Sequence, residues 1–170
     1  MRSWTTDTPV GAFTVLAQGD TVYASGWTTD LDSLVAVMAP ALRPRTIDAC
    51  ADLGRISRAV GRYMNGYVNA IDDIPVRQSS GPFISHAWDV LRDVPAGTTL
   101  TYGGFAARCG RPTAVRAAAS ACSRNAAALF VPCHRVISAN GALYGFRYGL
   151  GPKGWLLDHE SRAKPELAAW

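Results

Sequence analysis

The sequence lacks the features of several large classes of protein. It has no window close to the roughly 18 consecutive apolar residues that a membrane-spanning helix needs, and residues 1–7 have no apolar core like that of a signal peptide. Four cysteines are present, but Cys50, Cys109, Cys122 and Cys133 form no CxxC pair, which argues against a disulfide scaffold or a zinc ribbon. We therefore predict a cytoplasmic protein with no metal and no membrane contact.

The 170 residues are enough for one compact domain or for two small ones that share a core. Strand-like patterns dominate the first part of the chain and helical patterns the second. The turn-forming stretch at residues 78–82 separates the two. We predict an α/β N-terminal domain, residues 1–80, with a small antiparallel sheet and helices. Residues 81–170 are predicted to form a mainly α-helical domain with a winged-helix-like helix-turn-helix.

The first part of the chain contains a clear hairpin signal. Residues 11–17 and 21–27 have strand composition, and Gly19-Asp20 lies between them, as in a tight turn. The other predicted segments are a helix within residues 49–67, a strand at 71–76 and a stretch of ambiguous type at 31–38.

Acidic residues are missing from a long part of the chain. None occurs between Asp93 and Asp158, although the whole chain has a net charge of only +4. This stretch contains seven basic residues, namely Arg108, Arg111, Arg116, Arg124, Arg135, Arg147 and Lys153. Such a segment is typical of a surface that faces a polyanion. A solvated basic face, balanced by acids elsewhere in the fold, is the alternative.

Helical spacing marks the start of the second half. Phe83, Ala87 and Leu91 recur every four residues and predict a helix that ends before Pro95. A short helix is predicted at 101–109, and a turn at Gly110-Arg111 leads to a second helix at 112–123. Two short helices around a glycine-containing turn form a candidate helix-turn-helix.

The second of these helices is made almost entirely of small residues. Between Ala114 and Cys122, Arg116 is the one long side chain. Small residues let a helix backbone approach its partner closely. That partner is either the core of the protein or the floor of a DNA groove, with Arg116 projecting into it.

A candidate nucleophile follows a short apolar run. Cys133 lies in the pentapeptide Pro132-Cys133-His134-Arg135-Val136. A cysteine acts as a nucleophile in its thiolate form, and a nearby base or cation promotes that form. A buried, inert thiol is the alternative for any isolated Cys-His pair.

This pentapeptide resembles the active-site signature of the O6-alkylguanine-DNA alkyltransferases, the methylated-DNA–protein-cysteine methyltransferases. Further resemblances run in register from Phe83 to Glu160. They comprise Phe83 with Trp88 and Leu91, Thr101-Tyr102, Val115-Arg116-Ala117, Asn125, Gly141-Ala142-Leu143 with Gly145, and residues 153–160. By this resemblance the chain is identified as a member of that family.

The resemblance implies a single-turnover reaction without a cofactor. Cys133 accepts an alkyl group from O6 of guanine in DNA and keeps it as a thioether. A water and His134 relay the thiol proton, and Glu160 orients His134. Tyr102 donates a proton to the guanine ring, and Asn125 is the hinge residue of the site.

The resemblance also implies that a monomer binds double-stranded DNA in the minor groove, independently of sequence. The damaged guanine is flipped out of the helix, and Arg116 fills the gap. The residues implied in DNA binding are Thr101, Val115, Arg116, Ala117 and Ser120. Those implied in the substrate pocket are Pro132, Arg135, Val136, Phe146, Arg147, Tyr148 and Lys153.

Three segments depart from the family pattern. Ala119-Ser120 replaces a glycine pair, and Asn125-Ala126 replaces Asn-Pro. The loop at 145–149 has Phe146 in place of a tyrosine and Tyr148 in place of a glycine. We expect these rings to narrow the pocket and favour methyl over benzyl groups. Alternatively, Tyr148 turns outward and Arg147 contacts a phosphate.

Two other functions fit parts of the pattern. An alkylation-lesion sensor or regulator with weak transfer activity would have the same set of motif residues. A cysteine hydrolase shares the nucleophile, but nothing in the sequence suggests an oxyanion hole. Repair of O4-alkylthymine is left open.

Overall fold

The structure, a computed structural model, describes residues 1–143 and 145–163. Within these residues the elements follow the order β1 (Arg2–Thr8), β2 (Gly11–Gln18), β3 (Thr21–Gly26), α1 (Leu31–Val37), β4 (Asp48–Ala49), α2 (Arg55–Met64), α3 (Pro82–Arg92), β5 (Leu100–Thr101), α4 (Tyr102–Arg108), α5 (Val115–Ser123), β6 (Val136–Ile137) and α6 (Leu150–Ser161). Short 3-10 turns lie at Pro40–Leu42, Val68–Ile71 and Cys133–Arg135. No helix in this part of the chain is long and apolar enough to cross a bilayer.

The first half of the chain forms a four-stranded sheet in the order β3-β2-β1-β4. The predicted hairpin is confirmed as β2 and β3, with Gly19 at a φ of 58° in the turn. The prediction of a purely antiparallel sheet is wrong, because β4 pairs with β1 in parallel. The chain reaches β4 through a long connection that includes α1, and such a crossover allows a strand to return in the same direction.

The predicted strand at residues 71–76 is also wrong. Ile71 and Ile74 are both buried, and this three-residue spacing fits a helical turn rather than the alternation of a strand. The Ile74 N–H accordingly bonds to the Ile71 carbonyl, and Val76 forms only an isolated bridge with Val22. This segment therefore serves as a packed connection between α2 and the second half.

Two helices of the first half follow local signals. The ambiguous stretch at 31–38 forms α1, whose first N–H groups are capped by the Asp30 carboxylate. The helix predicted within 49–67 is confirmed as α2. It buries a stripe that includes Ile56, Val60 and Tyr63.

The helices α3, α4 and α5 pack together in the second half. The Thr101 hydroxyl caps α4 by accepting from the Gly104 N–H at 3.0 Å. The turn between α4 and α5 contains Gly110 at a φ of 81°. The helix α5 begins at Val115 rather than at Pro112, since residues up to Ala114 form the turn. One hydrophobic core runs through both halves, so the division at residue 80 stays a prediction.

Strand β3 holds the segment that leads to Cys133. The Ser25 N–H donates to the Ala126 carbonyl at 2.8 Å, and the Ala128 N–H donates to the Ser25 carbonyl at 3.2 Å. The buried Ser25 hydroxyl donates to the Ala128 carbonyl at 2.7 Å. Leu129 then takes a φ of 78°, which is unusual for a residue with a side chain. The sheet of the first half thus fixes the path of the chain toward Cys133.

Ser25→Ala should lower the free energy of unfolding by about 1–3 kcal/mol, because it leaves a buried carbonyl without this donor. Thermal or urea unfolding of the parent and the variant measures the change. Ser33→Ala is the matched control, since the exposed Ser33 hydroxyl bonds only to the nearby Asp30 carbonyl. Equal stability of the two variants would contradict the role given to Ser25.

Candidate active site

Cys133 begins a 3-10 turn between a buried apolar run and β6. Its side chain is nearly covered, and its Sγ accepts a hydrogen bond from the Asn125 amide at 3.3 Å. A donor aimed at sulfur stabilises the thiolate relative to the thiol. Asn125 and Cys133, both predicted to be catalytic, are therefore in contact.

The Asn125 side chain is held by bonds on both of its ends. Its Nδ2 also donates to the Val131 carbonyl at 2.8 Å, while its Oδ1 accepts from the Ala127 N–H at 3.0 Å. The Gln78 amide donates to the same Oδ1 at 3.0 Å, and its own oxygen accepts from the Ala126 N–H at 2.8 Å. The sequence reasoning missed Gln78, because it assigned the whole stretch 78–82 to a turn or linker.

The two residues that follow Cys133 belong to a buried network of polar and charged side chains centred on Glu160. The His134 Nε2 is 2.8 Å from Glu160 Oε1, as predicted for an imidazole held by a carboxylate. Arg135 donates to both oxygens of Glu160, at 2.9 Å from Nε and 2.8 Å from Nη2. Tyr63, on α2, donates its hydroxyl to Oε1 at 2.8 Å. All four side chains are at most 2 % exposed.

This network sets the charges of its members. Burial raises the pKa of the Glu160 carboxyl, but His134 and Arg135 outweigh that effect and hold the pKa below its usual value. Burial lowers the pKa of His134, and the attraction of Glu160 offsets only part of that shift. At neutral pH the pair is therefore a carboxylate and a neutral imidazole. Nδ1 of that imidazole is buried and bonds to no group in the described part of the chain.

The thiol of Cys133 is protonated in the resting protein. Burial raises its pKa, and the Asn125 hydrogen bond and the charge of Lys153 lower it by a smaller amount. A nucleophilic role therefore requires a base, and the neutral His134 follows Cys133 directly in the chain.

A cavity of about 350 Å³ opens beside Cys133. Its lining consists of Cys122, Ser123, Asn125, Ala128, Cys133, Gly145, Phe146, Arg147 and Tyr148. The volume is in the range of small-molecule sites, which begins at about 300 Å³. The loop predicted to form the pocket, residues 145–149, supplies one wall.

The Tyr148 ring faces inward, toward the sheet. Its hydroxyl donates to the Ser25 carbonyl at 3.3 Å, and its ring lies 6.0 Å from that of Trp27 and 5.6 Å from that of Phe146. Gly26 leaves the space for this ring, because a Cβ there would overlap the Tyr148 hydroxyl. The alternative in which Tyr148 turns outward is therefore wrong in this structure.

Arg147 contacts protein carbonyls at the end of α5. Its guanidinium donates to the carbonyls of Ser123 and Asn125. The last carbonyls of a helix attract cations, so this contact follows from helix geometry. The expected alternative of a free Arg147 reaching for a phosphate is not what the structure contains.

Four of the predicted pocket residues do not line the cavity. Arg135 bonds to Glu160, and Lys153 donates to the Val136 carbonyl at 2.7 Å, both within the buried interior. Neighbouring residues of a 3-10 turn project about 120° apart, because the turn has about three residues per turn. The residues that follow Cys133 therefore point away from the cavity. The four are Pro132, Arg135, Val136 and Lys153.

Tyr102 does not line the cavity but lies beside Gly145, which does. It is the first residue of α4, and its half-buried hydroxyl faces Gly145. Burial raises the pKa of Tyr102 to about 12, so the hydroxyl is protonated at neutral pH and can act as a donor.

Four of the residues predicted to bind DNA lie on α5, and the fifth, Thr101, is the exposed cap of α4. Val115 is 39 % exposed, and Arg116 is exposed beside it. Ala117 and Ser120 are half-buried, and the Ser120 hydroxyl donates to the Arg116 carbonyl at 3.0 Å. On the other face of α5, Ala118 and Ala121 are fully buried. The small residues of this helix therefore serve the core on one side and leave a close-approach surface on the other.

Metal ligation has no candidate among residues 1–143 and 145–163. No three histidine, cysteine or acidic side chains converge there on a common point.

Comparison with known proteins identifies relatives of this chain. The family described as "6-O-methylguanine DNA methyltransferase, DNA binding domain" matches residues 82–162. The methylated-DNA–protein-cysteine methyltransferase of Shigella flexneri is 39 % identical over 107 residues, which is 63 % of this chain and 63 % of that protein. The protein of the same name from Haemophilus influenzae is 32 % identical over 152 residues, or 89 % of this chain and 82 % of the relative.

Solved structures resemble the whole chain. The Mycobacterium tuberculosis O6-methylguanine methyltransferase is 28 % identical and superposes with a TM-score of 0.77, covering 97 % of this chain and 95 % of that one. The M. tuberculosis OGT in complex with DNA is 26 % identical with a TM-score of 0.78, covering 96 % and 95 %. Together with the match along most of the H. influenzae protein, this likeness shows that the chain belongs to the methylated-DNA–protein-cysteine methyltransferase family.

Proposed function

We propose that this protein repairs DNA by moving a methyl group, or another alkyl group, from O6 of guanine to Cys133 in one irreversible turnover. The observation that carries the proposal is the position of Cys133. Its Sγ lies at a cavity wall, bonded by Asn125, and the next residue belongs to the buried His134–Glu160 pair. The names of the relatives supply the reaction class.

In the proposed first step Cys133 loses its proton. His134 is neutral, and its Nε2–H donates to the Glu160 carboxylate. The other ring nitrogen, Nδ1, carries no proton and is therefore the basic one. A water molecule carries the thiol proton to Nδ1, and Asn125 stabilises the sulfur anion as it forms.

In the proposed transfer step the Sγ lone pair forms the S–C bond while the C–O6 bond breaks. The electrons of the broken bond enter the guanine ring, and Tyr102 donates a proton to that ring. Tyr102 then recovers a proton from solvent, and His134 releases its proton to solvent. No cofactor takes part, because the damaged base is itself the electrophile. Water does not displace the thioether, so each molecule acts once.

The proposed DNA interface is α4, its turn and α5, acting as a winged-helix-like helix-turn-helix. The exposed Arg116 at the start of α5 enters the minor groove and fills the gap left by the flipped guanine. Val115, Ala117 and Ser120 lie beside it on α5, and Thr101 at the start of α4 completes the proposed interface. Basic residues exposed on this part of the surface, Arg108, Arg111, Arg116 and Arg124, attract the phosphates.

Further parts of the proposal concern range and organisation. Phe146 and Tyr148 fill one side of the cavity, so we infer that methyl adducts react faster than benzyl adducts. We infer that residues 81–170 bind DNA and carry out the transfer, and that residues 1–80 support this second part. We also infer that the protein acts as a monomer in the cytoplasm. Residues 144 and 164–170 of that second part lie outside the described residues.

Incubation with an excess of duplex DNA containing O6-methylguanine should add the mass of one methyl group per protein and no more. Peptide mapping should place it on Cys133. Cys133→Ser should fold, bind DNA and accept nothing. Cys122→Ser is the matched control and should still accept one methyl, because Cys122 lines the same cavity but lacks the Asn125 contact. Many turnovers, or transfer to Cys133→Ser at the parent's rate, would overturn the proposal.

The rate of transfer should decrease as the pH falls, with a midpoint below 6.5. Burial holds the pKa of His134 below its usual 6.5, and protonation at lower pH removes the base. Glu160 stays ionised throughout, since its pKa is lowered. Single-turnover rates between about pH 5 and pH 8 measure this, with circular dichroism to monitor folding. A midpoint above 6.5 would rule out a neutral buried His134 as the base.

Arg116→Ala should slow repair of duplex DNA by at least about tenfold, with little effect on reaction with the free base O6-methylguanine. Only the duplex reaction requires flipping, which costs a few kcal/mol. Arg124→Ala removes the same charge from the other end of α5 and is the matched control. Equal losses in both variants would mean that Arg116 contributes charge alone.

A further inference from the structure

We propose that Tyr63 is a positioning residue for alkyl transfer, acting from the first half of the chain through Glu160 on His134. The inference rests on the proposed function. Its basis is one contact, in which the Tyr63 hydroxyl lies 2.8 Å from Glu160 Oε1. The same oxygen accepts from His134 Nε2 at 2.8 Å, so Tyr63 and His134 donate to one shared acceptor atom. Tyr63 is fully buried.

In this contact the tyrosine donates and the carboxylate accepts. Burial and the nearby Glu160 charge raise the pKa of Tyr63 well above its usual value, so the phenol keeps its proton. Glu160 is ionised, as described above. A buried bond between a neutral donor and a carboxylate is stronger than a bond between two neutral groups.

Glu160 needs such donors to hold one orientation. Arg135 donates to both of its oxygens, and the Gly97 N–H lies 3.5 Å from Oε2. Tyr63 adds a donor on Oε1, the oxygen that holds His134. With that oxygen fixed, the proton of His134 stays on Nε2, and Nδ1 remains the basic nitrogen. By drawing charge from Oε1, the tyrosine also limits the rise that Glu160 causes in the pKa of His134.

Two neighbouring residues of α6 form hydrogen bonds with Tyr63. Glu160 accepts its hydroxyl, while His159 Nε2 donates to its backbone carbonyl at 2.6 Å, with the two rings 5.3 Å apart. The position of α2 is thereby tied to the residue that holds His134. The titratable and charged groups facing this network are Tyr63 on α2, Asp72 in the following connection, Cys133, His134 and Arg135 in the 3-10 turn, and Lys153, His159 and Glu160 on α6.

The test compares Tyr63→Phe with the parent and with Tyr23→Phe, in which a tyrosine on β3 outside this network loses the same hydroxyl. Single-turnover transfer from methylated duplex DNA is measured across pH. Tyr63→Phe should lower the plateau rate by about tenfold, as loss of a residue that orients a catalytic group commonly does. Its acid midpoint should rise by about half a pH unit or more, because Glu160 becomes a stronger acceptor for His134. Tyr23→Phe should match the parent.

Rescue distinguishes the hydroxyl from general packing. Tyr63→4-aminophenylalanine restores an N–H donor at the same place and should return both the rate and the midpoint toward the parent values. If Tyr63→Phe fails to fold, the 4-aminophenylalanine variant still tests the proposal. Transfer at the parent's rate in that variant supports the proposal, and failure of that variant to fold as well overturns it. A Tyr63→Phe profile identical to the parent also overturns it. If the parent itself transfers no methyl group, the proposed function fails instead.

Discussion

The carboxylate of Glu160 is the group on which the arrangement around Cys133 depends. Buried at the end of α6, it accepts hydrogen bonds from His134, Arg135 and Tyr63. Burying a carboxylate is costly, and here a full guanidinium charge and several donors offset that cost. Removal of Arg135 would leave the Glu160 charge unpaired in the interior, which costs about 3–5 kcal/mol. The network therefore fixes the imidazole of His134, the residue that follows Cys133, with little freedom to relax.

Backbone pairing positions the other side of the site. Strand β3 holds residues 126–128 through three bonds from Ser25, and this sets the course of the chain from Asn125 to Cys133. Gln78 donates to Oδ1 of Asn125 and so fixes the orientation of the Asn125 amide. In that orientation Nδ2 of Asn125, and not Oδ1, faces the sulfur of Cys133. Ser25 and Gln78 both come before residue 80. The first half of the chain thus positions Asn125 and the segment that leads to Cys133, in addition to packing against them.

The sequence predicted what depends on local patterns and missed what depends on tertiary contacts. The hairpin, α2 and α3 could be predicted from turn residues and helical spacing, and the His134–Glu160 contact from the resemblance to the family. The parallel pairing of β4 and the role of Tyr63 could not, because both rest on residues far apart in the chain. Tyr63 lies on the buried stripe of α2, and nothing in the local sequence marks its hydroxyl. The resemblance assigned Arg135 and Lys153 to the pocket, but Arg135 bonds to Glu160 and Lys153 to the Val136 carbonyl, both in the interior.

In the proposed reaction the alkyl group is received in the cavity beside Cys133. Duplex DNA carrying a ¹³C-labelled O6-methyl group can be mixed with the protein and followed by NMR. The label should leave the DNA and appear as one S-methyl signal, with nuclear Overhauser contacts to the rings of Phe146 and Tyr148, which line the cavity. A label that stays on the guanine, or an S-methyl signal without contacts to either ring, would contradict this proposal.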